Sequence, residues 1–310
     1  MKNGRRSTRP QGQIYIFNRG VFEMFDPIHG TKKKVEKLSK KQETCGGQAA
    51  TMDGQIYVAD SSWTEDLAVF DPVKHQFIGQ TERLPATLCG IALVELNSKL
   101  FVCGGIDKEG LTTSRVSVLE LDGNWYAAPS MNHRRAYTSA VSLKGQLFVV
   151  GGQGSDCNKL SSLECIDLEN GEEEWTYCAS MRKRRVDTAA AAVDGFIFVA
   201  GGRMDSEAAS AQCEMYNIRS DRWIGMQHMR IGRTGHQLVE MNGVLYAIGG
   251  VDENERELDT VEMYDPREDQ WWVCEHATKQ PHSYCGATVY HGDSNGKHGG
   301  NARSSSCSIL

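Results

Sequence analysis

Apolar residues recur along the chain in short runs that each follow a two-residue turn. Five such runs begin at Gln55, Lys99, Gln146, Phe196 and Val244. Short apolar runs bounded by turn residues indicate buried strands. The turn pairs favour positive φ and join neighbouring strands as hairpins. They are Asp53-Gly54, Asn97-Ser98, Lys144-Gly145, Asp194-Gly195 and Asn242-Gly243.

The second turn residue recurs at intervals of 44 to 50 residues, which identifies an internal repeat. Each unit reads as a strand, a tight turn, a second strand, a loop, a third strand, a short loop and a fourth strand. This order predicts a four-stranded antiparallel meander and excludes a helical repeat. The second strand ends in Gly104-Gly105, Gly151-Gly152, Gly201-Gly202 or Gly249-Gly250, and the fourth carries Trp125, Trp175, Trp223 or Trp271.

A Gly pair, an aromatic residue before Asp or Asn, and a Trp seven residues later resemble the Kelch repeat, over nearly the whole chain. Tyr216 with Trp223 and Tyr264 with Trp271 keep this interval, and Phe70 with Phe77 keeps it with Phe in place of Trp. The resemblance implies a β-propeller in which these aromatic residues pack within and between the blades. We therefore interpret them as core residues.

Five complete units cover residues 45–281, and the two ends of the chain complement each other. The segment from Ser283 matches a first strand, whereas segments beginning at Gln13, Val21 and Lys33 match the second, third and fourth strands. We predict an all-β, six-bladed Kelch propeller closed by this C-terminal strand, because closure removes exposed sheet edges. A seventh blade needs a further unit of about 45 residues. The predicted divisions are a basic extension (1–12), the propeller (13–290) and a flexible tail (291–310).

The connections into the first strands and the loops after the second strands emerge on the same side of a meander. Arg135, Arg185 and Arg233 precede first strands, so we expect them around the mouth of the central channel, inside a rim of acidic loops. Guanidinium groups pair bidentately with carboxylates, which predicts an acidic peptide as partner. Related Kelch propellers hold acidic peptides with arginines at this loop position. The alternative is that the arginines pair internally with the acidic residues of this rim or remain hydrated.

Four other residues complete the predicted partner-binding set: Tyr137, His282, Trp63 and Arg19. Tyr137 and His282 lie near the starts of first strands. Trp63 departs from the core Trp positions and is a candidate aromatic anchor, with a packed loop residue as the alternative. Arg19 lies in a short connection that is expected to leave a notch beside it.

The net charge of −6 argues against nucleic acid as partner. Residues 1–10 contain four cations but precede no apolar segment, so the start of the sequence predicts a cytoplasmic protein without a secretory signal. The ten cysteines include no C-x-x-C pair, and we expect reduced thiols, with Cys89, Cys103, Cys213 and Cys285 at strand-like apolar positions. No cofactor or metal site is predicted.

Some Kelch propellers are enzymes, including copper oxidases and a sialic-acid mutarotase, so the fold alone leaves catalysis open. The sequence contains no HExxH, nucleophile elbow or phosphate-binding loop. His133, His236 and His282 fall near first-strand starts, where a metal or sugar site is the alternative. We expect a non-enzymatic protein-interaction scaffold or substrate-recognition propeller, and a sugar mutarotase is the alternative function.

The resemblance extends to the substrate-receptor propellers of BTB-Kelch proteins, which serve cullin-type ubiquitin ligases. This sequence has no BTB or BACK segment before its repeats, so we do not expect it to bind a cullin in the usual way. An isolated fragment, a stand-alone scaffold and a competitor of fuller relatives remain the alternatives.

The sequence ends in Cys307-Ser308-Ile309-Leu310, which has the form of a C-a-a-X prenylation signal. A final Leu favours geranylgeranyl, although Ser308 is not aliphatic. One isoprenoid on Cys307 predicts weak, reversible membrane association. Mass spectrometry of the C-terminus tests this, since an unmodified Cys307 followed by intact residues 308–310 would exclude it.

Overall fold

The computed structural model describes residues 12–18, 21–27, 33–35, 47–60, 63–278 and 280–292. The first strands along the chain are β1 (Gly12–Asn18), β2 (Val21–Phe25) and β3 (Lys33–Val35). Blade 1 consists of β4 (Gly47–Met52), β5 (Gln55–Asp60), β6 (Ala68–Asp71) and β7 (Gln76–Gln80). Blade 2 consists of β8 (Ala92–Leu96), β9 (Lys99–Cys103), β10 (Val116–Leu119) and β11 (Trp125–Ala128).

Three further blades follow the same order. Blade 3 consists of β12 (Ser139–Leu143), β13 (Gln146–Val150), β14 (Leu163–Asp167) and β15 (Thr176–Cys178). Blade 4 consists of β16 (Ala189–Val193), β17 (Phe196–Ala200), β18 (Cys213–Asn217) and β19 (Arg222–Gly225). Blade 5 consists of β20 (Gln237–Met241), β21 (Val244–Ile248), β22 (Val261–Asp265) and β23 (Gln270–Val273), and the last strand is β24 (Gly286–His291).

The strands form six antiparallel four-stranded sheets, which confirms the predicted six-bladed Kelch-type propeller. In the sixth sheet, the closing blade, the order is β24-β1-β2-β3. Its register runs from Gly12 opposite His291 to Phe17 opposite Gly286. The C-terminal strand therefore pairs with the N-terminal strands, as the sequence predicts.

The turns between first and second strands have the backbone conformation that their residue types favour. Both residues of each pair have positive φ, for example 48° and 73° at Asp53 and Gly54, and 57° and 80° at Asn242 and Gly243. Two consecutive positive φ values define the type I′ turn, whose twist matches that of the adjoining strands. The turns thus fix the register of all five complete blades.

The core lies between successive blades, where the predicted aromatic pairs pack. Tyr216 and Trp223 face each other across the third and fourth strands of blade 4, with ring centroids 5.3 Å apart. The indole N–H groups of the four repeat-motif tryptophans, Trp125, Trp175, Trp223 and Trp271, also donate to carbonyls in the segments that follow the preceding blades, as Trp223 does to Ala179 at 2.7 Å. These residues join neighbouring blades, which confirms their interpretation as core.

An aromatic cluster occupies the boundary between the closing blade and blade 1, where the repeat pattern is degenerate. Phe22 and Phe70 are buried with ring centroids 4.2 Å apart, and Phe17 and Phe77 pack around them. The Tyr15 hydroxyl donates to the carbonyl of Pro72 at 3.2 Å. Phenylalanines thus fill the space that Trp occupies in other blades.

Several sequence-based predictions fall outside the described residues. These are the basic extension, Arg19, and the C-terminal tail with Cys307, so the predicted notch and the prenylation signal stay predictions. In the described part of the chain, no helix is long and apolar enough to cross a membrane.

Candidate functional site

The six first strands surround the propeller axis, each in contact with the next, and β24 closes the ring against β4. We call one side of the propeller the mouth face: it is formed by the connections into first strands and the loops after second strands. A cavity of about 180 Å³ opens there and is lined by residues from first strands of all six blades.

Arg135, Arg185 and Arg233 are not exposed at this mouth. Each has no accessible surface, and each lies within its own blade. The Arg185 guanidinium donates to the carbonyls of Gly201 and Gln212, both at 3.0 Å, and to Glu214 at 2.6 Å. The prediction that these arginines bind a partner is therefore wrong. They pair internally, but with glutamates of the third strands and not with the acidic residues of the rim.

The glutamates that pair with these arginines also accept hydrogen bonds from the backbone that leads into each first strand. Glu262 pairs with Arg233 at 3.1 Å and accepts backbone N–H groups from Arg230 at 2.6 Å and Ile231 at 3.2 Å. Glu164 pairs in the same way with Arg135 and accepts from the backbone of Asn132 and His133. A buried charge is tolerated only when it is paired and hydrogen-bonded, and these sites meet that condition. Burial lowers the pKa of all three arginines, while the neighbouring glutamates raise it.

The backbone of the same arginines binds the preceding blade. Gly202 donates its N–H to the carbonyl of Arg233 at 2.8 Å, and Gly105 donates to Arg135 at 2.8 Å. At Gly104, which has a φ of 66°, an added Cβ would lie only 2.2 Å from the Arg135 carbonyl oxygen. The Gly pairs are thus required for close contact between blades.

His282 occupies the equivalent position at the closing blade. It is buried, its Nε2 lies 3.5 Å from Glu23, and its Nδ1 lies 3.2 Å from the side-chain nitrogen of Asn18. Gly250 donates to its carbonyl at 2.6 Å, as in the arginine positions. The prediction of His282 as a partner contact is also wrong, because the side chain lies inside the fold.

The residues that do reach the mouth lie two positions after these buried side chains. Tyr137, Asp187 and Tyr284 have φ of 51°, 53° and 49°, in the left-handed region that is costly for side chains other than Gly or Asn. Their backbones form a chain across blades, since Asp187 donates to Tyr137 at 3.1 Å, Gly235 to Asp187 at 3.1 Å and Tyr284 to Gly235 at 2.8 Å. This arrangement orients three side chains around the cavity.

Glycine leaves room for the two tyrosine rings. An added Cβ at Gly90 would lie 2.9 Å from the ring of Tyr137, and one at Gly235 would lie 2.8 Å from the ring of Tyr284. Tyr137 lines the cavity, and burial raises its pKa to about 12, whereas its role as a partner contact stays a prediction. Tyr284 and Asp187 were not predicted. Their shared spacing after Arg185 and His282 is the signal that identifies them.

The carboxyl group of Asp187 interacts with two other side chains of the mouth, those of Tyr284 and Arg203. Burial raises the pKa of the Asp187 carboxyl to about 6, although Arg203 and a hydrogen bond from Tyr284 lower it. Arg203 in turn pairs with Glu255 of the next blade at 3.2 Å. The mouth therefore carries a carboxyl group whose pKa lies above the ordinary range of aspartate.

Trp63 lies on the mouth face and is 47% exposed, as expected for a candidate anchor. Leu111, in the corresponding loop of the next blade, is 56% exposed. These loops are adjacent, since Lys108 lies 3.4 Å from Glu65. The mouth face thus offers an apolar area on one side.

Exposed cations occupy three successive connections on the same face. They are Arg134, then Arg182, Lys183 and Arg184, then Arg230. The acidic loops of the predicted rim lie after the second strands. Three acidic residues of these loops pair with cations: Glu65 with Lys108, Glu207 with Lys159, and Glu255 with Arg203.

The three histidines of the alternative metal site have separate environments. His133 is exposed beside Glu164 at 3.4 Å, His236 is buried at the cavity wall, and His282 is buried in the closing blade. Among the described residues, no group of three or more His, Cys, Asp or Glu is placed to hold a metal ion.

Comparison with known proteins agrees with this architecture. The family model for the KLHDC2/KLHL20/DRC7 Kelch-repeats domain matches residues 90–300, more than half of the chain. The chain belongs to the Kelch-repeat family. A solved structure described as that of YjhT is similar, with 13% sequence identity, a TM-score of 0.72, and coverage of 85% of this chain and 97% of that one. At this identity the likeness shows the Kelch propeller fold alone, and the alternative of a sugar mutarotase gains no support from it.

Proposed function

We propose that this propeller binds an acidic segment of a partner protein on its mouth face, since Kelch propellers are commonly protein-interaction scaffolds. The observation that carries the proposal is the placement of exposed Arg134, Lys183 and Arg184 on successive connections of the face that also holds the cavity. These exposed cations replace the buried arginines as the partner-binding charges.

The exposed cations and the exposed apolar side chains contribute differently to the proposed binding. Exposed cations attract an acidic segment and increase its rate of association. Trp63 and Leu111 supply apolar contact area, and large aromatic residues often dominate binding energy at interfaces. Tyr137 and Tyr284 present polar hydroxyl groups at the cavity. The proposed ligand therefore combines carboxylates with at least one apolar side chain.

A scaffold and a ubiquitin-ligase substrate receptor are both compatible with this surface. In either case the propeller must recognise its partner through side chains on the mouth face. We propose recognition of a protein segment as the shared function, since it depends only on the described residues.

The test compares two triple charge reversals of equal net charge. The first changes Arg134, Lys183 and Arg184 to Glu on the mouth face. The control changes Lys144, Arg219 and Arg267 to Glu, which are exposed in turns on the opposite face. The probes are an array of acidic peptides with Trp or Leu, and the same peptides with Lys in place of each acidic residue.

We expect the mouth-face variant to bind the acidic peptides that bind the parent protein at least about tenfold more weakly. The control variant should lose less than about twofold in affinity for the same peptides. Increasing salt should weaken the parent complex. Equal binding by the two variants, or preference for the Lys peptides, would contradict the proposal. Failure of every peptide to bind the parent would also count against it.

A further inference from the structure

Two cysteine thiols of blade 3 lie in contact. Cys165 in β14 and Cys178 in β15 have their sulfur atoms 3.3 Å apart. In the register of these strands, Cys165 is opposite Thr176, and Cys178 is opposite Leu163. Residues two apart on a strand share a face of the sheet, so both thiols project to the same side. A disulfide requires the sulfur atoms to approach to about 2.05 Å, so they must move about 1.3 Å closer.

The surroundings make this pair different from the other described cysteines. Both residues are half-buried at the boundary with blade 4, so a small oxidant has access to them. The Thr176 hydroxyl lies 3.3 Å from the sulfur of Cys165. By contrast, Cys103, Cys213 and Cys285 are buried. Among the described cysteines, only Cys165 and Cys178 therefore combine a neighbouring thiol, partial exposure and a polar side chain beside the sulfur.

The protonation of the two thiols is unequal. A hydrogen bond from Cys178 lowers the pKa of Cys165 to about 7, and Thr176 contributes to this shift. The hydrogen bond to Cys165, together with burial, raises the pKa of Cys178. Burial raises the pKa of Cys103, Cys213 and Cys285 to about 12. Since the thiolate is the reactive form of cysteine, Cys165 is the nucleophile of the pair.

We propose that Cys165 and Cys178 form a redox-sensitive pair that hydrogen peroxide converts to an intramolecular disulfide. The Cys165 thiolate attacks one peroxide oxygen, the O–O bond breaks, and the products are a sulfenic acid and hydroxide. The Cys178 sulfur then attacks the Cys165 sulfur, its proton leaves with the sulfenic oxygen, and water is released. In total, two thiols lose two electrons and two protons, and one peroxide becomes two waters.

The bond links the third and fourth strands of blade 3 beside blade 4. Cys178 lies beside Tyr216 of blade 4, whose hydroxyl donates to Asp221 at 2.7 Å. Asp221 also accepts the backbone N–H of Ala179 at 2.7 Å. Oxidation thus changes a side chain beside a hydrogen-bond network that joins two blades, and a reducing thiol reverses the change.

The experiment treats the reduced full chain with hydrogen peroxide and maps its peptides without reduction. No Lys or Arg lies between the two cysteines, so trypsin leaves both on the peptide 160–182, and a Glu-specific protease is needed to separate them. We expect a cross-link between the Cys165 and Cys178 peptides that dithiothreitol removes. At neutral pH, iodoacetamide should alkylate Cys165 about tenfold faster than Cys274, whose pKa burial raises to about 11.

Single variants distinguish the roles of the two thiols. Cys178→Ser should trap the sulfenic acid on Cys165, where dimedone labels it, and Cys165→Ser should leave Cys178 unlabelled. Cys157→Ser is the matched control, because Cys157 is exposed and its loss should leave the cross-link unchanged. Free Cys165 and Cys178 after a peroxide treatment that oxidises Cys157 would overturn the proposal. A cross-link that forms no faster than intermolecular oxidation through Cys157 would overturn it as well.

Discussion

Arg184 and Arg185 are consecutive residues with the same side chain and opposite environments. Arg184 is exposed on the mouth face, whereas Arg185 has no accessible surface and donates to Glu214 and two carbonyls. Arg134 and Arg135 repeat the contrast one blade earlier. In each pair, the second arginine is buried and hydrogen-bonded within its blade, and the first is exposed to solvent. Two consecutive arginines in this connection therefore combine a buried, structural side chain with an exposed one.

The largest expected effect comes from removing the buried member. Arg185→Met leaves the carboxylate of Glu214 buried without its cation, so the free energy of unfolding should fall by about 3–5 kcal/mol. Arg184→Met should change it by less than about 0.5 kcal/mol. Urea denaturation followed by tryptophan fluorescence measures both. The double variant Arg185→Met/Glu214→Met should recover much of the loss, and equal losses at positions 184 and 185 would contradict the comparison.

A smaller effect is expected at Gly202, the second glycine of its pair, which contacts the connection into the first strand of its own blade. Gly202 has a φ of 88°, and an added Cβ would lie 2.7 Å from the Val186 carbonyl oxygen. Gly202→Ala should lower the free energy of unfolding by about 1–3 kcal/mol. Gly110 has a φ of 81° with nothing within 4 Å, so Gly110→Ala isolates the backbone cost. If Gly202→Ala and Gly110→Ala lower the free energy of unfolding equally, the close contact at Gly202 does not contribute to stability.

The next effect is a pH dependence of stability that arises from Asp187, which lies two positions after the buried Arg185. Burial raises the pKa of Asp187 to about 6, so the folded state holds this proton more tightly than the unfolded chain does. Stability should therefore fall as pH rises from about 4 to 6, by about 1–2 kcal/mol after allowance for solvent at this half-buried group. Asp187→Asn should remove this part of the pH dependence. Parallel stability profiles for the two proteins would show that Asp187 does not titrate in this range.

The smallest effect belongs to the ion pair on the surface of the mouth. Arg203 and Glu255 are 25% and 66% exposed, and exposed pairs contribute less than about 1 kcal/mol. Arg203→Gln should hardly change the unfolding midpoint. It should raise the pKa of Asp187 further, because Arg203 lowers it. An NMR titration of the Asp187 carboxyl measures this shift, and a lower pKa would exclude the proposed electrostatic link.

The hydrophobic pattern predicted the propeller because each repeat carries local signals. Turn pairs such as Asn242-Gly243 adopt the positive φ that their residue types favour, and Tyr264 packs against Trp271 at 5.0 Å as the repeat implies. The candidate site was less predictable. Trp63 and Tyr137 lie on the predicted face, but Arg135, Arg185, Arg233 and His282 lie inside the fold.

The sequence by itself determined the blade count, the closure by β24 and the turn types, because these follow from period, strand complementarity and local backbone preference. Only the tertiary structure decided which charged side chains are buried, because Glu164, Glu214 and Glu262 lie 29 residues from their arginines. A pattern of single residues does not reveal such a partner. Burial of an arginine depends on the distant carboxylate that compensates for lost water.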